Sequence, residues 1–214
     1  MPTLLSFGGI IMGKRVIKVA VTGGGCGGKT TFLSQVRRTA PMLGVTAVCV
    51  PEAATLAMAA GLPPDGRLPF VDFERAIARI QAANERACMA AARAMGGDGD
   101  VLVLCDRGLP DVAAYMSDAD YAAALAEEGL TPASALASYD AAIFLVTAAD
   151  GAEAHYGRET NGYRYESPER AIEADGLIRS KWEGHPALTV IGNDGVTFRE
   201  KMELAMGALK AALA

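Results

Sequence analysis

The sequence predicts an α/β fold of three layers, with a doubly wound, parallel, five-stranded sheet between two sets of helices. Three observations predict it. Five apolar runs of strand length recur along the chain, helical periodicities lie between them, and a glycine-rich segment joins the first run to a helix. The runs are nearly continuous in apolar character rather than alternating, as expected of strands covered on both faces. Strands alternating with helices imply βαβ units and right-handed crossovers.

The runs are residues 16–22, 46–51, 101–105, 141–147 and 188–191. Residues 72–95 form the clearest helix, with Phe73, Ile77, Ile80, Ala87, Ala91 and Ala94 near helical spacing. Asp72 suits its N-cap and Gly96-Gly97 its end. Residues 197–213 read as a second amphipathic helix bearing Phe198, Met202, Ala205, Leu209 and Ala212 on one side. Residues 61–69 hold three prolines and two glycines and read as loop. Residues 155–168 are polar, aromatic and arginine-bearing without strong periodicity, the character of a functional lid or a mobile loop.

Residues 1–14 read as a disordered extension with Met12 as a plausible start. The apolar stretch at 4–12 is too short to span a bilayer and lacks a signal-cleavage pattern. Residues 15–214 read as a single domain, with a lid at about 150–170. Hydrophobic residues at 51% and charged residues at 21% argue against extensive disorder. A formal net charge of -5 offers no global attraction to nucleic acid or an anionic membrane, so neither is an expected partner. Cys26, Cys49, Cys88 and Cys105 form no CxxC pair, and His155 and His185 lie far from any such pair. Free thiols in a reducing cytoplasm, and no structural zinc, are expected.

Residues 16–22 lead into Gly23-Gly24-Gly25-Cys26-Gly27-Gly28-Lys29-Thr30, and Thr31-Phe32-Leu33 opens a helix. This meets G-x-x-x-x-G-K-[ST] in the strand-to-helix context that the P-loop requires. Glycines let backbone N–H groups converge on an anion, and the helix N-terminus adds partial positive charge. Gly23 to Thr31 would cradle the phosphates of ATP or GTP. Lys29 would reach the β- and γ-phosphates, and the Thr30 hydroxyl would ligate Mg²⁺. The alternative is a glycine-rich turn with a coincidental lysine and threonine. The loop identifies the cosubstrate and not the acceptor.

The third run ends in Asp106-Arg107-Gly108. A carboxylate there is placed to hold Mg²⁺, or to take a proton from a substrate hydroxyl. Arg107 would orient an acceptor or stabilise transferring phosphate. A salt bridge between the two, or an Asp capping the next helix, is the structural alternative. Glu52, closing the second run, would recognise an acceptor hydroxyl or act as base, since ligands gather at the carboxyl ends of strands. Otherwise it simply opens a helix at 53–60. Arg158 and Arg164 in the lid are candidates to neutralise the transferred group, with Arg170 behind them; a solvated loop is the alternative. Gln81 and Glu85, one turn apart, would line an acceptor pocket or serve as core-edge polar residues. Trp182 suits core packing better than a lid base or a nucleobase contact.

Together these residues resemble the nucleotide-binding domain shared by ribosylnicotinamide kinases and the TRPL translocation defect protein family. The resemblance rests on the loop at 22–31, Pro51-Glu52-Ala53, Asp106-Arg107-Gly108-Leu109-Pro110-Asp111 with Tyr115, and Tyr139-Asp140. The last third, with Gly151-Ala152-Glu153, Tyr156, Arg164-Tyr165-Glu166 and Trp182-Glu183-Gly184-His185-Pro186, is nearest the second branch. It covers about residues 15 to 210. It implies a thymidylate-kinase-like P-loop NTPase fold of the nucleotide or nucleoside kinase type, with sheet order 2-3-1-4-5. One branch phosphorylates a nucleoside on a ribose hydroxyl. The other binds guanine nucleotides and phosphoinositides and carries a further C-terminal domain, which is not expected in a chain ending at Ala214. Carried over by position, the site would be Lys29, Thr30, Asp106, Arg107, Arg158 and Arg164.

The functional expectation is a Mg²⁺-dependent ATP- or GTP-binding protein, foremost a small-molecule kinase acting on a hydroxyl of a nucleoside-like acceptor. The alternative is a nucleotide-binding regulatory module with slow hydrolysis. A Ras-like GTPase is disfavoured, since no N-K-x-D motif and no D-x-x-G after the third run are present. A mechanochemical ATPase ring would need an added helical subdomain. A homodimer is compatible with the sequence.

Overall fold

The computed structural model describes residues 14–62, 66–153, 156 and 167–214. The expected extension at 1–14, Lys14 apart, and most of the expected lid at 150–170 therefore lie outside the described residues, as do Arg158 and Arg164. Five strands, β1 (Val16–Thr22), β2 (Thr46–Val50), β3 (Val101–Asp106), β4 (Ala141–Leu145) and β5 (Leu188–Ile191), form one sheet in the order β2-β3-β1-β4-β5. Every pairing is parallel. The fold is the one the sequence predicts, order included.

Strand side chains alternate between two faces. Ile17, Val19 and Val21 of β1, with Ile143 and Leu145 of β4, pack on Phe32, Leu33 and Val36 of α1 (Lys29–Thr39) and on Met202, Ala205 and Leu209 of α8 (Phe198–Leu213). Ala20, Val103, Cys105, Ala142 and Phe144 face the other layer, Ala92 of α3 (Phe70–Ala94) and Ile178 of α7 (Pro168–Ser180), with Trp182 just beyond. A third cluster joins α2 (Ala53–Ala59) and α3 to three short helices between β3 and β4. These are α4 (Leu109–Val112), α5 (Asp118–Glu127) and α6 (Pro132–Leu136).

Element ends differ from the sequence expectation where backbone bonding decides. α3 begins at Phe70 and its N-cap is Pro69, not Asp72, because the Pro69 carbonyl accepts from Asp72 N and Phe73 N at 2.9 and 3.0 Å. Asp72 sits instead in the first turn, where a carboxylate still complements the helix dipole. Thr197 caps α8 through a capping box with Glu200. None of the four cysteines forms a disulfide with another described residue, and Cys105 is fully buried in β3. No helix among the described residues is long and apolar enough to cross a membrane.

Candidate functional site

The glycine-rich loop turns over the carboxyl ends of β1 and β4. Gly23 and Gly28 hold φ of 118° and 98°, and Cys26, at 57°, is a non-glycine in the left-handed region. A Cβ on Gly23 would stand 2.2 Å from the Leu145 carbonyl oxygen, and one on Gly27 2.4 Å from the same atom. Only bare backbone fits between the loop and the end of β4. Thr22 Oγ1 accepts from Gly23 N at 2.6 Å, Asp175 Oδ1 from Gly24 N at 2.5 Å, and Thr147 Oγ1 donates to Gly25 O at 2.6 Å. The loop is thus tied to β1, α7 and the segment after β4.

Gly28 is the N-cap of α1, without a side-chain cap and with no acidic residue in the first turn. The N–H groups of that turn are left to whatever anion arrives, and the helix end attracts one. Lys29 is buried and donates from Nζ to Gly23 O at 2.8 Å and to Gly24 O at 2.5 Å. Burial and then the Arg107 charge lower its pKa, against the pull of Asp106 and Glu52. An ammonium so placed gains when a polyphosphate replaces those carbonyls. Thr30 and Thr31 are exposed at the open side of α1.

Arg107 does not pair with Asp106. Its backbone, at φ 68°, is left-handed, and its N–H donates to Val21 O at 3.0 Å. Its guanidinium bonds Glu52 Oε1 at 2.7 Å, Gly23 O at 3.1 Å and Asp111 Oδ2 at 3.3 Å. A strained arginine with three partners organises a site, binding the end of β2, the phosphate loop and α4 into one wall. Glu52 holds both of its expected places, preceding α2 and facing the site, and accepts from Thr55 Oγ1 at 2.6 Å. Burial would raise its pKa, but the Arg107 charge and hydrogen bonds from Thr55 and Arg107 outweigh that and hold it at about 2. Asp106 makes no hydrogen bond or ion pair with any described residue; burial and the like charge of Glu52 push its carboxyl up.

A divalent cation fits this donor set. Among the described residues there is no cluster of three or more His, Cys, Asp or Glu able to cage a metal. Thr30 and Asp106 would supply the one or two hard oxygen donors that Mg²⁺ takes from a protein when phosphates and water complete its shell.

Sequence reasoning passed over the buried supports. Asp111 accepts from Thr22 Oγ1 at 2.8 Å and from Trp182 Nε1 at 2.6 Å. Trp182 is fully buried, in edge contact with Tyr139 at 5.1 Å, so it packs in the core. Asp175 was detectable as the lone acid in the buried series Ala171, Asp175, Ile178 of α7. Glu85 proves structural. It pairs with Lys18 and accepts from Tyr139 OH and Gln81 Nε2, both at 2.6 Å. Gln81 also donates to Arg107 O at 3.3 Å and borders a cavity of about 160 Å³. Glu52, Phe73, Glu74, Ile77, Arg107 and Asp111 line the same cavity. Arg170 lies exposed at the start of α7.

A parallel 2-3-1-4-5 sheet, with a glycine-rich loop passing from its central strand into a helix, defines a P-loop NTPase-type nucleotide-binding domain. The family model described as AAA domain matches residues 18–199, and the chain belongs to that family. No curated protein matches the chain.

Proposed function

We propose that this chain is a phosphotransferase that moves the γ-phosphoryl group of ATP or GTP, with Mg²⁺, to a hydroxyl of a small nucleoside-like acceptor. The observation that carries this reading is the cavity beside the phosphate loop, which shares Arg107 with it: one side of Arg107 bonds Gly23 O, while its own side chain lines the cavity with Glu52. A module that only binds or slowly hydrolyses a triphosphate has no need of a second pocket at that point. Of the two branches that the sequence resembles, the nucleoside-phosphorylating one accounts for it.

In this reading the loop amides and the α1 terminus hold the polyphosphate, and Lys29 exchanges its two carbonyl partners for phosphate oxygens. Thr30 and Asp106 would hold Mg²⁺, whose charge would offset that of the triphosphate. Glu52, with a pKa of about 2, is too weak a base to abstract a proton and instead accepts the acceptor's O–H and aims it. The acceptor O–P bond forms as the γ-phosphorus parts from the bridging oxygen. The nucleoside diphosphate leaves, and the hydroxyl proton is released to water. Arg158 and Arg164 remain candidates from the sequence to neutralise the group in flight.

The test supplies Mg-ATP and Mg-GTP with a library of nucleosides and hydroxylated metabolites. Diphosphate release that requires an added acceptor, with phosphate recovered on it, is expected. Basal hydrolysis unmoved by every acceptor would overturn the reading in favour of a nucleotide-regulated module.

A further inference from the structure

The proposed acceptor cavity is unusual in what its polar groups still lack. Glu74, on α3, is 5% exposed and lines the cavity, yet it makes no hydrogen bond or ion pair with any described residue. Arg107, the cation on the cavity wall, already bonds Glu52, Gly23 O and Asp111. Gln81, 2% exposed, spends its Nε2 on Glu85 and on Arg107 O, and its carbonyl oxygen has no partner among the described residues. Glu74 and Gln81 stand seven residues apart on one face of α3, about 10 Å along the axis. Phe73, Ile77, Met58 and Val112 supply apolar parts of the same wall.

We propose that Glu74 selects the acceptor by taking a hydrogen bond from an amino or ring N–H group, so that the molecule phosphorylated carries a flat nitrogen-bearing head as well as its hydroxyl. This rests on the phosphotransferase reading and names the chemistry of its second substrate. A buried acid without a partner costs stability and is kept where a ligand completes it. The cavity asks for donors, since the ionised Glu74 carboxylate and the Gln81 carbonyl both accept. It also asks for apolar faces, since a polyol would set its remaining hydroxyls unpaired against Phe73 and Ile77. A nitrogen heterocycle meets both demands, with its rim donating and its faces buried. The other ionisable groups on the cavity are Glu52 at the β2–α2 junction, Arg107 at the end of β3, and Asp111 and Tyr115 from α4 and the segment after it. None is a free cation that would neutralise Glu74. Burial accordingly raises its pKa to about 7, against the pull of Arg107.

The experiment measures binding rather than turnover. The full chain, with Mg²⁺ and a non-hydrolysable ATP analogue, is titrated calorimetrically with adenosine, guanosine, cytidine and inosine, and with ribose and glycerol as nitrogen-free controls. At least one nitrogen-bearing member should bind ten-fold or more tighter than ribose. Glu74→Leu should lose that ten-fold, and Glu74→Gln should lose less. Without ligand, Glu74→Leu should melt higher than wild type at pH 8, by on the order of 5 °C, and the gain should shrink at pH 5, where Glu74 is already protonated. Ribose binding as well as any nitrogen-bearing member, no member binding, unchanged affinity in Glu74→Leu, or a lowered melting point would each overturn the proposal. Glu74-dependent binding without phosphoryl transfer would sink the phosphotransferase reading and leave this one standing. Transfer to ribose alone would do the reverse.

Discussion

Helix α3 carries two buried glutamates, and they live in opposite circumstances. Glu85 is enclosed by partners: Lys18, Tyr139 and Gln81 all reach its oxygens, and the Lys18 ammonium also lies 4.0 Å from the Tyr139 ring centroid. Glu74, three turns nearer the helix start, is equally buried and has none. A buried acid with both oxygens engaged belongs to the fold. One without engagement marks where the molecule expects something from outside. The same division separates Asp111, held by Thr22 and Trp182, from Asp106, whose carboxylate makes no hydrogen bond or ion pair with any described residue.

That division can be broken by substitution, and the largest effect is expected at Glu85. Glu85→Ala strands a buried ammonium on Lys18 and should destabilise the protein by about 3–5 kcal/mol in urea unfolding. A loss below 1 kcal/mol would make the pair incidental. Lys29→Ala comes next. It should weaken triphosphate binding about 100-fold in a fluorescence titration, near 3 kcal/mol, and an unchanged affinity would remove the phosphate loop from the functional argument.

Glu52→Gln should have a smaller effect, and one that depends on pH. The folded pKa of about 2 lies below the ordinary 4.5, so the carboxylate stabilises the fold above pH 4.5 and that contribution fades as pH falls toward 2. The side chain is 28% exposed, so the variant should lose about 1–3 kcal/mol at pH 7. The gap from wild type should narrow below pH 4.5. A gap of the same size at pH 3 would assign the loss to something other than charge. Least is expected of Arg79→Ala, which removes an exposed pair with Glu127; it should cost under about 0.5 kcal/mol, as a surface ion pair does. A larger loss there would blur the contrast between engaged and exposed carboxylates.

What the sequence disclosed was local or periodic. The apolar runs gave the strands because a doubly covered parallel strand must be apolar on both faces. The phosphate loop was legible because glycine, lysine and threonine sit at fixed short spacing between a strand and a helix. Asp106, Arg107 and Glu52 were legible as polar residues closing apolar runs, though not the direction of their pairing. The structural alternative for Asp106 and Arg107 was a salt bridge between them, whereas the left-handed backbone at Arg107 turns its guanidinium to Glu52 and Asp111. The supports stayed hidden because they join distant segments: Asp175 lies 151 residues from Gly24, and Asp111 89 from Thr22. Glu74 was hidden for another reason. On a helical wheel an acid beside Phe73 looks solvent-facing until α2 and α4 cover it.

The contact of Gly23 and Gly27 with the Leu145 carbonyl has a mechanical corollary. Immediately past that residue, Lys201 Nζ grips Val146 O at 2.6 Å and Asn193 Oδ1 at 2.7 Å, while Asn193 Nδ2 holds Thr147 O at 2.8 Å. The glycine turn therefore rests on a floor that α8 and the β5–α8 link clamp from behind. A shift of that clamp, however it arises, must tilt the turn along with it, so residues with no reach to a nucleotide set the pitch of the amides that would meet one.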